Sequence, residues 1–551
     1  MPRFFKNLIK KAPQKKPAPP AANGRNRPDP GQPPCSKEDL IKTPISTSLD
    51  SNLDTLKNIL SHNNDVVFRR FRLGMGNQAE AAVIYVDGMI HKAIINNDIM
   101  KPLMLESRMA GNNTPGKGLL ELIKDFTISV SEVREARSMD KVVAGVLYGD
   151  AALLVDGLDT ALVMDVKGWN SRAVEEPQSE ILVRGPREGF TETLRVNTTL
   201  IRRRLRSPNL VFEDLSIGRV SHTGVIMVYL RGIASTDMVA EVRSRLQRIN
   251  IDGILESGYL EEFIEDSPYS PFPQVAHTER PDRVAASLLE GRVAILTDGT
   301  PFALIVPAEF ITFMQSPEDY YERYMLGTAI RWLRYFTFAM SLLLPSLYIA
   351  VTTFHQEMIP TRLIISLAAA REGVPFPAFV EALIMEFTFE ALREAGIRLP
   401  RAVGQAVSIV GALVIGQAAV QAGVVSPLMV IVVAITGIAS FLSPAFNMAI
   451  AIRFLRFPMM ILAATLGLFG VMVGVLAILI HLSGLRSFGV PYLAPLAPFH
   501  PGNMKDVAVR APWWAMDRRP SETGSLNPRR QAPGMKPSKP DPGGKKGGER
   551  G

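Results

Sequence analysis

Residues 402–452 read AVGQAVSIVGALVIGQAAVQAGVVSPLMVIVVAITGIASFLSPAFNMAIAI, a run without one Asp, Glu, Lys or Arg. Ser426-Pro427 divides it into two pieces, because Pro is accepted at the start of a helix and not in its interior. Each piece is long enough to cross about 30 Å of hydrocarbon as a helix. Two further uncharged runs lie at 335–354, flanked by Arg331, Trp332 and Arg334, and at 457–480. The reading is four transmembrane helices. Four spans leave both ends of the chain on one side. Both tails and the region before the spans are rich in Lys and Arg, so the positive-inside rule puts them in the cytoplasm. Arg453 and Arg456 then fall on the outer side, against the rule. Either they serve a local role, or residues 361–395 cross partly or fully.

Within that interval lies FVEALIMEFTFEALREAG (379–396), with Glu381, Glu386, Glu390 and Glu394 among apolar residues. At 100° per residue Glu386, Glu390 and Glu394 fall within about 80° of one another. An ionised stripe of this kind avoids lipid and faces water, a partner or a pore. Two forms satisfy that requirement: an amphipathic helix lying on the membrane surface, or acidic stripes from several subunits gathered into cation-selecting rings. The turn before the stripe holds Arg371, Pro375 and Pro377. Prolines that donate no backbone hydrogen bond make a hinge candidate, although Pro also simply ends helices. Small residues at four-residue spacing, Ser408, Ala412 and Gly416, and again Gly470 and Gly474, suit close helix packing within or between chains.

Residues 48–315 read as soluble α/β structure. GVIMVYLRG (224–232), the helical TDMVAEVRSRLQRI and INIDGILESG suggest a βαβ-like unit. GDAALLVDGLDTALVM from Gly149 and GRVAILTDGTPFALIV from Gly291 share one pattern without a gap. Asp156-Gly157 and Asp298-Gly299 then mark the tips of two similar hairpins, where Gly supplies a positive φ. The expected organisation is a disordered basic Pro-rich tail (1–47), two related α/β subdomains (48–185 and 186–325), a transmembrane domain (326–485) and a C-terminal segment ending in a disordered basic tail (486–551). The fold class is therefore an α/β cytoplasmic region of two related subdomains, followed by an all-α polytopic membrane domain of four transmembrane helices plus an amphipathic or re-entrant helix.

Composition narrows the chemistry. A net charge of +8, concentrated at the two ends, suits anionic lipid as a partner. The N-terminus lacks the apolar core of a cleavable signal peptide. Cys35 is the single cysteine and the seven histidines are scattered, so no disulfide, metal site or cofactor is assigned. GNNTPGKG (111–118) approaches a phosphate-binding loop but has Gly118 where a hydroxyl must hold magnesium. LIRRRLR (200–206) ends an amphipathic pattern whose Leu194, Thr198, Ile201 and Leu205 share one face. It reads as a solvated or partner-binding face, and no nucleic acid is expected. No nucleophile elbow occurs, so the chain is not expected to be an enzyme.

Several long motifs, RGPREGFTETLRVNTTLIRRRL (184–205), GYLEEFIEDSPYSPFPQ (258–274), TERPDRVAASLLEGRVAILTDGTPFALIVP (278–307), QSPEDYYERY (315–324), REGVPFPAFVEALIMEFTFEALREAGIRLP (371–400) and FLSPAFNMAI (441–450), resemble the A subunits of the GerA-type spore germinant receptors. The resemblance covers about residues 50–520. It implies a multi-pass protein of the spore inner membrane with its soluble domain in the cytoplasm. It also implies a transporter-like B subunit and a C-subunit lipoprotein as partners. A homo-oligomer follows from it too, with a pentamer as the proposed number, forming a nutrient-gated channel for monovalent cations. The alternatives are the related sporulation-stage membrane protein associated with dipicolinic-acid transport, and a non-conducting membrane scaffold.

Overall fold

Alternating apolar residues build two five-stranded sheets, each buried on both faces. The first contains β1 (Val66–Arg72), β2 (Glu80–Val86), β3 (Val133–Ala136), β4 (Ala151–Val155) and β5 (Ala161–Met164), in the order β1-β2-β4-β5-β3. The second contains β6 (Leu210–Ile217), β7 (Thr223–Leu230), β8 (Ala276–Thr278), β9 (Val293–Thr297) and β10 (Ala303–Val306), in the order β6-β7-β9-β10-β8. All neighbouring strands are antiparallel. This computed structural model describes residues 41–538 apart from 62, 74–78, 107–119, 121–122, 124–131, 169–175, 178, 400–413 and 525. The GNNTPGKG loop, Ser408 and Ala412 therefore lie outside the described residues.

Two helices recur on both sheets, one ahead of the first strand and one ahead of the repeated hairpin, and the second sheet carries two more. α1 (Leu49–Ile59) and α2 (Met139–Tyr148) cover one face of the first, where Leu53, Leu56 and Val142 meet Ala82, Ile84 and Leu154. α3 (Leu194–Arg204), α4 (Thr236–Arg248), α5 (Ser257–Ile264) and α6 (Pro281–Leu289) clothe the second on both faces. The period-two alternation divides each strand's side chains between two cores.

The sequence echo corresponds to the β4-β5 and β9-β10 hairpins, and the likeness extends to single hydrogen bonds. Asp156 Oδ1 accepts from the Leu49 N–H at the start of α1 (3.0 Å), and Asp298 Oδ1 accepts from the Leu194 N–H at the start of α3 (3.1 Å). A carboxylate there satisfies an orphan helix donor and meets the positive end of the helix dipole. Asn52 clasps the backbone of Ser46, and Asn197 clasps that of Thr191, through the same pair of amide contacts. Gly157 and Gly299, with φ of 86° and 85°, make the turns that bring each aspartate into place.

The βαβ-like reading fails at its last element. Residues 249–256 form no strand, and the carbonyls of Ile251 and Asp252 instead accept from Arg219, Val220 and Ser221 in the β6-β7 turn. Residues 1–40 and 539–551 of the expected disordered tails lie outside the described residues, while the adjoining described segments carry structure. Ile45 is buried, and its N–H donates to the Arg137 carbonyl. At the other end Arg519 and Thr523 donate to the Leu289 and Glu290 carbonyls at the C-terminus of α6, and Arg530 pairs with Glu290 (2.6 Å). Basic side chains meeting free helix carbonyls explain why this segment docks as a strap. The arginine run is also not a solvated face. Arg202 is fully buried and grips Asp65 with two nitrogens (2.9 and 3.0 Å), tying the second sheet's α3 to the first subdomain, while Arg203 and Arg204 pair with Glu188.

The helical part comprises α7 (Tyr324–Thr353), α8 (Thr361–Arg371), α9 (Ala378–Arg398), α10 (Pro427–Phe441) and α11 (Phe446–Gly484). Among the described residues two helices are long and apolar enough to cross a membrane, α7 and α11, and α10 is a shorter apolar helix. The expected four spans are not confirmed among the described residues, and part of the first expected piece, 402–413, lies outside them. Ser426 and Pro427 do start α10, but a second break at 442–445 ends it early and moves the start of α11 to Phe446. α11 itself is broken at Gly467, whose φ of 63° and ψ of −142° are not helical. A Cβ placed on Gly470 would lie 2.1 Å from the Leu462 carbonyl oxygen, and one on Gly474 would lie 2.3 Å from Met459 Sδ. In a straight helix those pairs are about 12 and 22 Å apart along the axis. The chain therefore doubles back, and the 457–480 run is the tip of a hairpin of two arms. Both ends of the hairpin reach the soluble part, through Asn447 to His277 (3.0 Å) and His481 to Ser270 (2.9 Å).

A buried ionic joint links the soluble part to α7. Asp319 accepts from Arg331 (3.3 Å) and Arg334 (2.8 Å), and Arg331 also reaches Asp506 (3.1 Å), which accepts from the Tyr320 hydroxyl (2.8 Å). Burial lifts the Asp506 carboxyl above its usual range despite the guanidinium beside it.

Two outcomes follow from these contacts. Asp65→Ala leaves the Arg202 charge buried and unpaired, and should lower the stability of the soluble part by ~3–5 kcal/mol, whereas Arg202→Met with Asp65→Leu should cost less; chemical unfolding of both variants measures the difference. Gly291 has φ 91° and its Cβ would lie 2.4 Å from the Thr523 carbonyl oxygen. Gly291→Ala should therefore loosen the strap and speed tryptic cleavage after Arg518 about tenfold, from strain of ~1–3 kcal/mol, with wild-type rates expected if the strap were not seated there.

Candidate functional site

α9 starts at Ala378 with Pro377 as its N-cap residue, so Glu381 falls in the first turn, where a carboxylate meets the helix dipole favourably. Glu386, Glu390 and Glu394 run down one side of the helix, with Glu381 about 140° around from Glu386, and burial falls along the series. Glu381 and Glu386 are fully buried, the Glu390 side chain is 26% exposed and that of Glu394 is 60% exposed.

Each carboxylate has an arginine. Arg371, at the end of α8, reaches across the proline-containing turn to Glu381 Oε1 (3.0 Å). Glu381 Oε2 accepts from the Ser426 N–H (2.8 Å) at the start of α10, so one carboxylate closes α8, α9 and α10 together. Arg456 donates to Glu386 Oε2 (2.5 Å) and, through Nε, to the Ser341 carbonyl of α7 (2.9 Å). Arg453 donates to Glu390 Oε2 (2.9 Å). Glu394 pairs with Arg398 one turn on, in the exposed part of the helix.

The pairing is set by helical spacing. Glu386 and Glu390 are four apart on α9, and Arg453 and Arg456 are three apart on the first arm of α11, so both pairs lie on single faces. The earlier glutamate meets the later arginine, as it must when the two helices run antiparallel. Arg393 extends the set: it donates to Ser440 Oγ of α10 (2.8 Å), lies 3.6 Å from Glu390 and stacks over the Phe389 and Phe441 rings. These contacts make a ladder of alternating charge through a bundle whose remaining lining is apolar.

Several buried polar atoms in the same region have no hydrogen-bond partner among the described residues: Glu386 Oε1, Glu390 Oε1, Arg456 Nη2, Ser346 Oγ, Tyr348 OH and Ser426 Oγ. Groups of this kind need water or a further partner. Among the described residues no cluster of His, Cys, Asp or Glu is placed to hold a metal.

Pro375 and Pro377 lie in the α8-α9 turn, next to Gly423, whose Cβ would be 2.9 Å from the Gly373 carbonyl oxygen. Gly416 faces Val430 of α10 at ordinary contact distance, while Gly470 and Gly474 hold the two hairpin arms together. The small residue on which α9-α10 packing depends is Gly437, where a Cβ would lie 2.5 Å from the Phe389 ring. No spacing in the sequence singles it out. The arginines of the ladder do leave a signal, since Arg453 and Arg456 interrupt an otherwise uncharged apolar run.

A family model described as "Bacillus/Clostridium GerA spore germination protein" matches residues 54–522. The chain is 47% identical over 503 residues to spore germination protein KA of Bacillus subtilis (strain 168), covering 91% of each. It is 49% identical to the uncharacterized membrane protein YfkQ of the same organism, covering 88% of this chain and 93% of that one. Spore germination protein B1 of B. subtilis is 43% identical over 87% of this chain and 97% of its own length. The crystal structure of the N-terminal domain of the A subunit of the Bacillus megaterium spore germinant receptor GerK3 is 36% identical, covers 49% of this chain and 98% of that one, and superposes with a TM-score of 0.39. With a match across most of its length and full-length relatives above 40% identity, the chain belongs to the GerA spore germination protein family.

Proposed function

We propose that this chain is the A subunit of a nutrient germinant receptor in the spore inner membrane, and that copies of it, proposed as five, form a gated pathway for monovalent cations in germination. Its relatives are named as spore germination proteins, which supports a role in that process. A transporter-like B subunit and a C-subunit lipoprotein are the proposed partners, and the soluble sheets face the cytoplasm, in keeping with the basic tails.

The observation that carries the conducting part is the ladder of Glu381, Glu386 and Glu390 with Arg371, Arg456 and Arg453 inside an apolar bundle. Ionisable groups at such depth are expensive, and stability alone is served as well by apolar packing. In the state described the carboxylates are neutralised by arginines, three of which sit on α8 and the first arm of α11. A cation cannot take the place of those arginines until the helices part. Opening is then a displacement of the α11 hairpin and the α8-α9 turn that trades Arg453 and Arg456 for a hydrated cation. The hairpin touches the soluble sheet at His277 and Ser270, so a change there has a direct mechanical route to the ladder.

The pairing makes the two partners' variants differ in sign. In liposomes at equal incorporation, Arg456→Gln should raise resting monovalent-cation flux, because Glu386 loses its counter-charge. Glu386→Gln combined with Arg456→Gln, which leaves no unpaired charge, should assemble and conduct less than wild type. An unchanged flux in both would remove the ladder from the pathway. No flux under any condition in assembled protein, with or without the B-like and C-like partners, would return the chain to the scaffold reading.

A further inference from the structure

Between α6, residues 312–321 and the C-terminal strap lies a cavity of about 390 Å³. That volume lies within the range of small-ligand sites. Its flat wall is aromatic: Trp513 is half exposed, and its ring lies 5.8 Å from that of Tyr320, with Tyr321 and Leu289 completing the apolar lining.

The charges of the lining are four arginines against two carboxylates. Most are already neutralised. Arg283 pairs with Glu180 (2.6 Å), Arg292 with Glu309 (2.7 Å) and Arg530 with Glu290 (2.6 Å), and Asp282 is held by Arg280 and the Tyr321 hydroxyl. The remaining cation is Arg519. Its contacts are to the carbonyls of Leu289, Asn527 and Arg529 and to the Asn527 side chain, and among the described residues no carboxylate lies within ion-pair distance of it. Burial and the adjacent Arg530 both act against its charge. An unneutralised guanidinium lining the same cavity as a half-exposed indole, over which the Arg510 and Arg530 guanidinia also lie (5.3 and 5.9 Å), is a site for an anion with a flat apolar body, the guanidinium taking the anionic group by charge-assisted hydrogen bonds and the aromatic wall taking the body.

We propose that this cavity is a regulatory site for a small organic anion with a flat apolar body, whose anionic group meets Arg519 and whose body lies on Trp513 and Tyr320. Tyr320 gives the site its reach. The residue that forms the wall also donates its hydroxyl to Asp506, which holds Arg331 of α7. A ligand that shifts Tyr320 therefore acts on the joint between the soluble part and the first long apolar helix. The binding claim stands whether or not the chain conducts.

The test uses the full-length chain in detergent and three isosteric probes, benzoate, neutral benzamide and cationic benzamidine, followed by calorimetry and ligand-observed magnetic resonance. Benzoate should bind saturably, one per chain, and at least about tenfold tighter than either isostere, equivalent to ~1.4 kcal/mol. Arg519→Gln should remove that preference, Arg519→Lys should restore part of it, and Trp513→Ala should weaken all three probes, with thermal melts confirming that each variant is folded. Benzamide or benzamidine binding as tightly as benzoate would overturn the assignment. So would an unchanged benzoate affinity in Arg519→Gln, or no saturable benzoate binding up to about 20 mM, the range where weak fragment contacts end.

Discussion

A charge buried in an apolar bundle must bring its counter-charge with it, and the helical part of this protein is arranged around that requirement. Glu386 and Arg456 are both almost fully buried, and removing either would leave the other's charge stranded in the bundle. Their contact also engages the Ser341 carbonyl, so one ion pair holds α7, α9 and the first arm of α11 in mutual register. Glu381 does the same for α8, α9 and α10. Apolar packing alone would allow these helices to slide or rotate past one another, since one greasy face fits another in many ways. The ladder permits a single alignment, and a second one exists only if the charges find other partners.

The soluble part rests on repetition. The same strand order, the same hairpin aspartate at a helix start and the same asparagine clasp occur twice. The copies have diverged in what they touch. The second carries the contacts to the helices, through β8, the segment after α5 and the strap, while the first is joined to it by the Arg202-Asp65 pair. Removing polar groups from water at that seam is tolerable only because the pairing is bidentate and further capped by the carbonyls of Ser207 and Leu210.

Much of this was legible in the sequence, and the limits have physical causes. The duplicated hairpin could be read because a DG turn between apolar strands has few alternatives. The acidic stripe could be read because 3.6-residue periodicity places it on one face. What faces it could not, since Arg453 is 63 residues from Glu390 and periodicity is blind to contacts at that separation. The bend at Gly467 was hidden for another reason: uncharged residues on both sides suit one long span as well as two arms, and only backbone torsion separates the two. The strap was misjudged because composition rich in Pro, Lys and Arg predicts disorder in isolation, whereas free carbonyls at a helix end supply the partners that such a segment lacks alone. The Glu386 and Glu390 side chains were expected to face water, a pore or a partner, and their partners are arginines of the same chain.

The order in which the ladder's members are made has a consequence for biogenesis. Synthesis runs at about 5–20 residues per second, so the arginines of α11 emerge several seconds after the glutamates of α9. During that interval α9 lacks the arginine that neutralises Glu386, and Glu390 has only Arg393 of the same helix. The helix can settle between its neighbours only when the hairpin arrives. A chain cut short before Arg453 should therefore be handled by quality control as an unfinished membrane protein, with its acidic helix left outside the bilayer interior.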